Sequence, residues 1–579
     1  MNKIPIIALC LLLVGCSTIS LNSVQINSEK TQIHDIQGCS YQSPFICKNV
    51  NEVSGIVTWK DKQGFYLQST QPDQLRCSSE ALYVFTKNYP NVIPGDLVTV
   101  NGKVEEYYQE EQDNSLSTTE IVASSVKIIS EGNELPAPIV INSVGNDIPK
   151  EIIEDDSFSK FDPESDGLDY FESLEGMLVE VDDAIVVNAK NSYGEVVVIP
   201  GNVVENNIFS NQGALIATSN DQNPERITLV LPDGWKKPVN LGAKFSSPVI
   251  GILTYQFSKY EIQVINKPAI KNEKNDIEKM PKALSDQIRV ATYNTENLSR
   301  FEYKKVEKLA ETIVSEMGSP DIIILEEISD DSGETDDGTV SARLTLEDLT
   351  AKIMEQNGPK YSFIDFPPAN NSSGGQNGNN IRTVILYRQD HGLVMSEINL
   401  DFELGNTAEF KNSRLPSVAK FSKKDISLYV IGVHLVSNLA NSPEFGSIQP
   451  IEKPEEDKRI SQVNWINNLS DQLIEADPSS SIIVAGDFND TPDSKSLRGL
   501  TNFGFINLAE SIPVAERYSI IFDGNAQLFD QIFLYQKDGN SLEADGAQII
   551  HMNTFQEEEK QFSDHDPFVV DIKSKTGWK

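Results

Sequence analysis

The sequence predicts a multidomain chain, with two β-rich domains in the first half and a layered α/β domain, two sheets covered by helices, in the second. Three observations carry this. At 579 residues the chain is too long for one core. Before about residue 266, short β-branched and aromatic runs alternate with turn residues; from Gln287 onward, strand-like runs alternate with segments of helical period. A hydrophobic share of 39% fits folded domains and excludes a disordered polymer.

The chain opens with Lys3, an apolar run from Ile4 to Leu13, and Val14-Gly15-Cys16-Ser17. That run is too short to span a membrane as a stable helix but suits an export signal. It resembles a bacterial lipoprotein signal, which implies a signal peptide over residues 1–16, a lipid on Cys16, and a protein of the cell envelope anchored to the membrane. A plain signal peptide with an incidental cysteine is the alternative. Cys39, Cys47 and Cys77 all fall in the first domain; in an oxidising compartment two of them pair and one remains odd, and the sequence leaves the pairing open.

Residues 46–134 form the first β domain. Gly55–Trp59, Gly64–Gln68, Ala81–Phe85 and Leu97–Val100 are strand-like and separated by turn residues. The spacing favours a small barrel and resembles the oligonucleotide/oligosaccharide-binding (OB) type. Trp59, Phe65 and Tyr83 either stack bases or pack the barrel. Residues 135–266 form a second β-rich domain, expected as another OB-like barrel, with runs at Leu174–Val181, Glu195–Ile199 and Val249–Leu253. The acidic stretch Asp155–Asp169 is expected as a solvated loop. Residues 267–286, rich in Lys, Asn, Glu and Pro, are expected as a linker.

Residues 287–575 form the α/β domain. Ile288–Tyr293 is a strand; Val306, Leu309, Ala310, Ile313 and Val314 recur at helical spacing; Asp321–Leu325 is a buried strand. Thr383–Tyr387, Leu428–Val433 and Ser481–Ala485 are further strands, and Ile460–Ile474 is an amphipathic helix. Two sheets covered by helices bury all of these runs.

Polar groups stand where the apolar runs end, which is where layered α/β proteins place their chemistry: Asn294, Glu326-Glu327, His434, Gly486-Asp487-Phe488-Asn489, Phe529-Asp530-Gln531 and Ser563-Asp564-His565-Asp566-Pro567. Acid, amide and imidazole groups are what metal-assisted phosphodiester hydrolysis requires. With Arg414-Leu415-Pro416 and Tyr518-Ser519 between them, these motifs follow in order the pattern of the endonuclease/exonuclease/phosphatase superfamily. Residues 288–572 thus resemble a DNase I-like four-layer sandwich of the secreted bacterial nuclease kind.

The resemblance implies that Asn294, Glu327 and Asp564 hold a divalent ion, Mg²⁺ or Mn²⁺. It also makes His565 a general base oriented by Asp530, with Asp487 and Asn489 positioning the nucleophile and a phosphate oxygen. His434 is expected to stabilise developing charge and Arg414 to grip a phosphate. Asn380 and Arg382 are candidate substrate contacts. Two departures stand out. Glu326 occupies a place usually held by glutamine, so added negative charge is expected beside the metal. Where related nucleases carry a lysine after the middle histidine motif, this chain reads His434-Leu435-Val436-Ser437-Asn438.

The acidic run Ser329–Gly338 is a candidate Ca²⁺ loop, or else solvated, and it lacks EF-hand spacing. Acidic residues outnumber basic ones 86 to 48, a formal charge of -38, which argues against tight non-specific DNA affinity but not against DNA chemistry. The expected function is an exported, anchored nuclease acting on extracellular DNA and also RNA, with DNA as substrate partner. The alternatives are a phosphodiesterase or phosphatase of nucleotides, lipid headgroups or wall polymers, and a catalytically inert binding lipoprotein.

Overall fold

The computed structural model describes residues 30–575 apart from 74, 110–113, 205–206, 399–407, 425 and 538–541; the export signal and Cys16 lie outside the described residues. The chain forms two compact units, one of residues up to 111 with 116–137 and 172–178, the other of 112–115, 138–171 and everything from 179 onward.

The first unit is built on a closed five-stranded barrel of β1 (Asn49–Lys60), β2 (Gly64–Gln68), β3 (Ala81–Phe85), β4 (Leu97–Tyr107) and β5 (Thr118–Ser130), in the order β1-β2-β3-β5-β4. Alternation sends Val98, Val100 and Val104 of β4 inward, where they meet Val57, Leu67, Val84 and Ile121. Phe65 is fully buried in this core, so it packs the barrel and presents no face to a base. Trp59, Tyr66 and Tyr83 form a row, with ring centroids 6.0 and 5.0 Å apart. Cys39 and Cys77 form a disulfide, and Cys47 keeps an exposed thiol.

The second β-rich stretch departs from expectation. Its strands form one open nine-stranded sheet rather than a second closed barrel. Its edge strands, Ile139–Val140 and Ile270–Lys271, have two residues each. The segment expected as a linker is also fastened down. Ile270 pairs with Phe245, and the Met280 N–H donates to the Glu316 carbonyl at 2.8 Å with its side chain buried.

The C-terminal region has two six-stranded sheets. The first contains β6 (Ile288–Leu298), β7 (Ile322–Ile328), β8 (Tyr361–Ile364), β9 (Arg382–Arg388) and, from the chain end, Leu542–Ile549 and Phe568–Ser574. The second contains β10 (Val394–Ser396), β11 (Ser417–Lys423), β12 (Ile426–His434), β13 (Ser481–Asp487), β14 (Ile506–Asn507) and β15 (Asp530–Gln536). Alternate residues feed opposite layers. Ile322 and Ile324 pack between the sheets with Val430, Ile483 and Ile532, while Ile323 and Leu325 pack outward under α1 (Tyr303–Ser315) and α2 (Arg343–Glu355). On the other side Ile431 and Val484 meet Val463, Ile466 and Leu500 of α3 (Glu456–Ala476) and α4 (Lys495–Phe503). The result is helix, sheet, sheet, helix, with each buried Ile or Leu contributing on the order of 1.5–3 kcal/mol.

This packing fixes the register at the strand ends. Asn294 stands opposite Glu326, His434 opposite Asp487, and Asp487 opposite Asp530.

Candidate active site

Asp487 is the hub. It ends β13 next to Gly486, whose φ of 149° and tight contact with Val433 leave no space for a Cβ. One carboxylate oxygen accepts the Asn489 N–H at 2.8 Å. The other accepts the Asn294 amide at 3.1 Å and the Asn489 amide at 3.3 Å, and lies 3.3 Å from His434 Nε2. Asn294 also donates to Glu327 at 3.3 Å, and His434 Nε2 is 3.9 Å from the same Glu327 oxygen. Residues 193 positions apart in the chain are thus joined by one hydrogen bond.

His565 completes the group. Its Nδ1 lies 2.5 Å from Asp530 Oδ2, and its Nε2 lies 4.0 Å from Asp487. Two serines set this geometry. Ser519 Oγ accepts the N–H groups of Phe529 at 3.1 Å and Asp530 at 3.0 Å. Ser563 Oγ donates to the Asn294 carbonyl at 2.8 Å and accepts the His565 N–H at 3.1 Å, tying the final motif to the first strand.

The electrostatics divide the two histidines. Burial, reinforced by Arg414 and His565, holds His434 neutral, with its pKa well below the usual value. Burial also opposes charge on His565, but Asp530, Asp564 and Asp487 outweigh it and hold that imidazole well above its ordinary value. Burial raises Asp487 against the pull of His565, and raises Glu327 against Arg414. Glu326 is wholly buried, and its pKa is raised well above 4.5, first by desolvation and then by Asp530. Its Oε1 accepts the Thr292 hydroxyl at 2.7 Å.

Asn294, Glu327, Asp487, Asn489, Asp564 and His565 all line one pocket of about 570 Å³. Its opposite wall comes from the nine-stranded region, through Phe171, Arg226, Phe257 and Lys259. Arg226 fixes that wall by donating to the Asp523 carbonyl at 2.5 Å and to Glu444 at 2.6 Å. The Asp564 carboxylate adds to the raised pKa of Glu327, and Glu327 accepts the Asn294 amide, a hard oxygen-bearing set that fits Mg²⁺ or Mn²⁺.

Arg414 is buried and bound to the Leu435 carbonyl, with Glu327 and Asp487 acting on its charge. Asn380 and Arg382 are not brought into the pocket. Asn380 donates to Asp330 at 2.9 Å and to the Thr339 carbonyl at 2.8 Å; Arg382 is spent on the carbonyls of Asn380 and Val340 and on Asp365. They brace the loop after β7, so the expectation of substrate contact gives way to a scaffolding position. The acidic run Ser329–Gly338 is used in the same bracing, since Asp331 accepts the Leu344 and Thr345 N–H groups at 2.7 and 3.0 Å.

Sequence reasoning missed Arg459, Ser519 as a support, and the whole opposite wall. Arg459, 1% exposed on α3, reaches Asp490 at 3.1 Å and the Ser437 carbonyl at 3.3 Å, fixing the two loops after β12 and β13. An arginine on the largely apolar helix face that also carries Gln462 and Ser470 was the available signal.

No curated protein sequence matches the chain. Among solved structures, the endonuclease/exonuclease/phosphatase from Bacteroides vulgatus is 18% identical, covering 50% of this chain and 99% of that one at a TM-score of 0.34. D. rerio TDP2 complexed with single strand DNA product is 16% identical, with 50% and 99% covered and a TM-score of 0.34. The human Nocturnin catalytic domain with bound sulfate anion is 15% identical, with 52% and 97% covered and a TM-score of 0.34. Residues 140–274 match a domain of unknown function, DUF8508. Residues 291–537 match the Endonuclease/Exonuclease/phosphatase family, and this part of the chain is a phosphodiesterase domain of that superfamily.

Proposed function

We propose that this chain is an exported, membrane-anchored nuclease that hydrolyses the phosphodiester bonds of DNA, with RNA as a second polymer. The observation that carries this is one pocket that joins the phosphodiesterase set to Lys259 and to the exposed ring of Phe257. In a chain of net charge -38, a cation and an aromatic ring beside the acidic centre suit a substrate with both phosphates and bases. The closed five-stranded barrel, with β3 and β5 parallel, supports the same reading, as a candidate OB-like nucleic-acid-binding module. Export rests on the N-terminal segment ending at Cys16 and is supported by the Cys39–Cys77 disulfide.

Asn294, Glu327 and Asp564 would hold the divalent ion, Mg²⁺ or Mn²⁺, which would supply Lewis-acid charge to the scissile phosphate and the leaving oxygen. Asp530 holds the His565 ring so that Nε2 faces the pocket; cation charge at Glu327 and Asp564 would offset the carboxylates that keep the imidazole protonated and leave Nε2 able to accept the proton of the attacking water. Asp487 and Asn489 orient water and a phosphate oxygen, while neutral His434 donates or accepts at Nε2 as charge builds. Arg414 supplies a fixed positive charge behind the centre.

The net charge favours one second reading, a phosphodiesterase or phosphatase of small substrates. Incubating the purified chain with plasmid and Mg²⁺, beside mononucleotide and phospholipid, separates the two. Nicked plasmid is expected, abolished in His565→Ala and by chelation. Intact plasmid with turnover of a small substrate transfers the proposal to the second reading.

A further inference from the structure

The acidic stretch expected as a solvated loop is folded inward. Glu154 is 6% exposed, Asp166 1% and Asp169 0%, and one carboxylate oxygen from each lies within 4.8 Å of the others. Clustered acids alone would mean little. Here, however, Asp166 Oδ2 and Glu154 Oε2 are sealed from solvent and accept no hydrogen bond, and so is Asp162 Oδ1 beside them. The charges acting most strongly on Asp166 are all acidic, those of Glu154, Asp155, Asp162 and Asp169. The nearby cation, Lys160, is surface-exposed and engages Asp162.

Glu154 accepts two backbone N–H groups through Oε1 and Asp169 one through Oδ2, so the unmet cost falls on the sealed oxygens, above all on Asp166, and a buried carboxylate oxygen without a donor is costly. A cation removes that cost. The donors are all hard oxygens, which excludes ions that prefer thiolate or imidazole. Ca²⁺ is bound at about 2.3–2.6 Å, so oxygens on opposite sides of it lie about 4.6–5.2 Å apart; Mg²⁺, at about 2.0–2.1 Å, demands a tighter cage. The three oxygens, all within 4.8 Å of one another, can share the shell of the larger ion, whose geometry is the more permissive.

We propose that Glu154, Asp166 and Asp169 bind a structural Ca²⁺ ion, with Asp162 at its margin. None of the catalytic residues belongs to this site. Asp169 and Phe171 share one short helix, Gly167–Glu172, and Phe171 lines the catalytic pocket, so the ion fixes part of the substrate wall.

The test uses the full chain carrying Glu327→Gln, to weaken cation binding at the catalytic centre, titrated with CaCl₂ alone by calorimetry and melted in EGTA and in Ca²⁺. One equivalent of Ca²⁺ should bind and raise Tm by several degrees. Asp166→Asn in that background should weaken binding by about 100-fold and abolish the shift, while melting in EGTA at the same temperature as its parent or higher, because a buried repulsion is relieved. Glu154→Gln should behave alike. Absence of binding to the parent, undiminished affinity in Asp166→Asn, or a lower Tm of both variants in EGTA would overturn the proposal.

Discussion

Asp530→Asn separates catalysis from stability with opposite signs. Asp530 is wholly buried, with Oδ2 2.5 Å from His565 Nδ1 and Oδ1 accepting no hydrogen bond. Its charge raises the pKa of both Glu326 and Asp487, so it is a repulsive partner to two buried acids and an attractive partner to one imidazole. Removing the charge while keeping the shape unfastens the His565 proton and ring. The expected loss is about 10²- to 10⁴-fold in kcat, equivalent to about 3–5 kcal/mol of barrier. The fold should lose nothing, because the relieved repulsion offsets the weakened hydrogen bond. Initial rates of plasmid nicking in excess Mg²⁺, measured beside urea unfolding, read both quantities. A variant that keeps its rate within about threefold, or that loses rate only as far as it unfolds, would refute the assignment of His565 and Asp530 as a working pair.

Gly486→Ala places a Cβ 1.8 Å from the Val433 carbonyl, so β12 and β13 must separate where His434 faces Asp487; a stability loss of about 3 kcal/mol and collapse of activity are expected by urea unfolding and nicking assay. Glu326→Gln should stabilise the fold. Folded Glu326 keeps a proton that the unfolded chain releases above about 4.5, so stability falls as pH rises past that value toward the folded pKa, and the variant should flatten this part of the pH profile with activity within about threefold. The Cys39–Cys77 disulfide closes a 38-residue separation; Cys39→Ser with Cys77→Ser should cost about 2–4 kcal/mol in denaturant unfolding of the barrel unit, and an unchanged midpoint would show that the bridge contributes nothing.

Much of the fold and site was legible because burial leaves a period in the sequence. Ile322 to Leu325 is apolar throughout because its two faces enter two different cores, and that run marked a strand covered on both sides. The polar residues that follow such runs, Asn294, Glu327, His434 and Asp487, were legible for the same reason: a strand end is where side chains leave the core. Asn380 and Arg382 misled because loop residues carry no period, and nothing local separates an amide that braces a carbonyl from one that meets a substrate.

By itself the sequence determined which segments must be buried, and hence the layered domain and the order of its chemical groups. Only the tertiary structure decided which carboxylates keep a proton, which strands close a barrel and which stop at an edge, and which basic and aromatic side chains face the acidic centre. Those outcomes depend on desolvation, register and proximity between residues far apart in the chain, and a linear pattern holds none of the three.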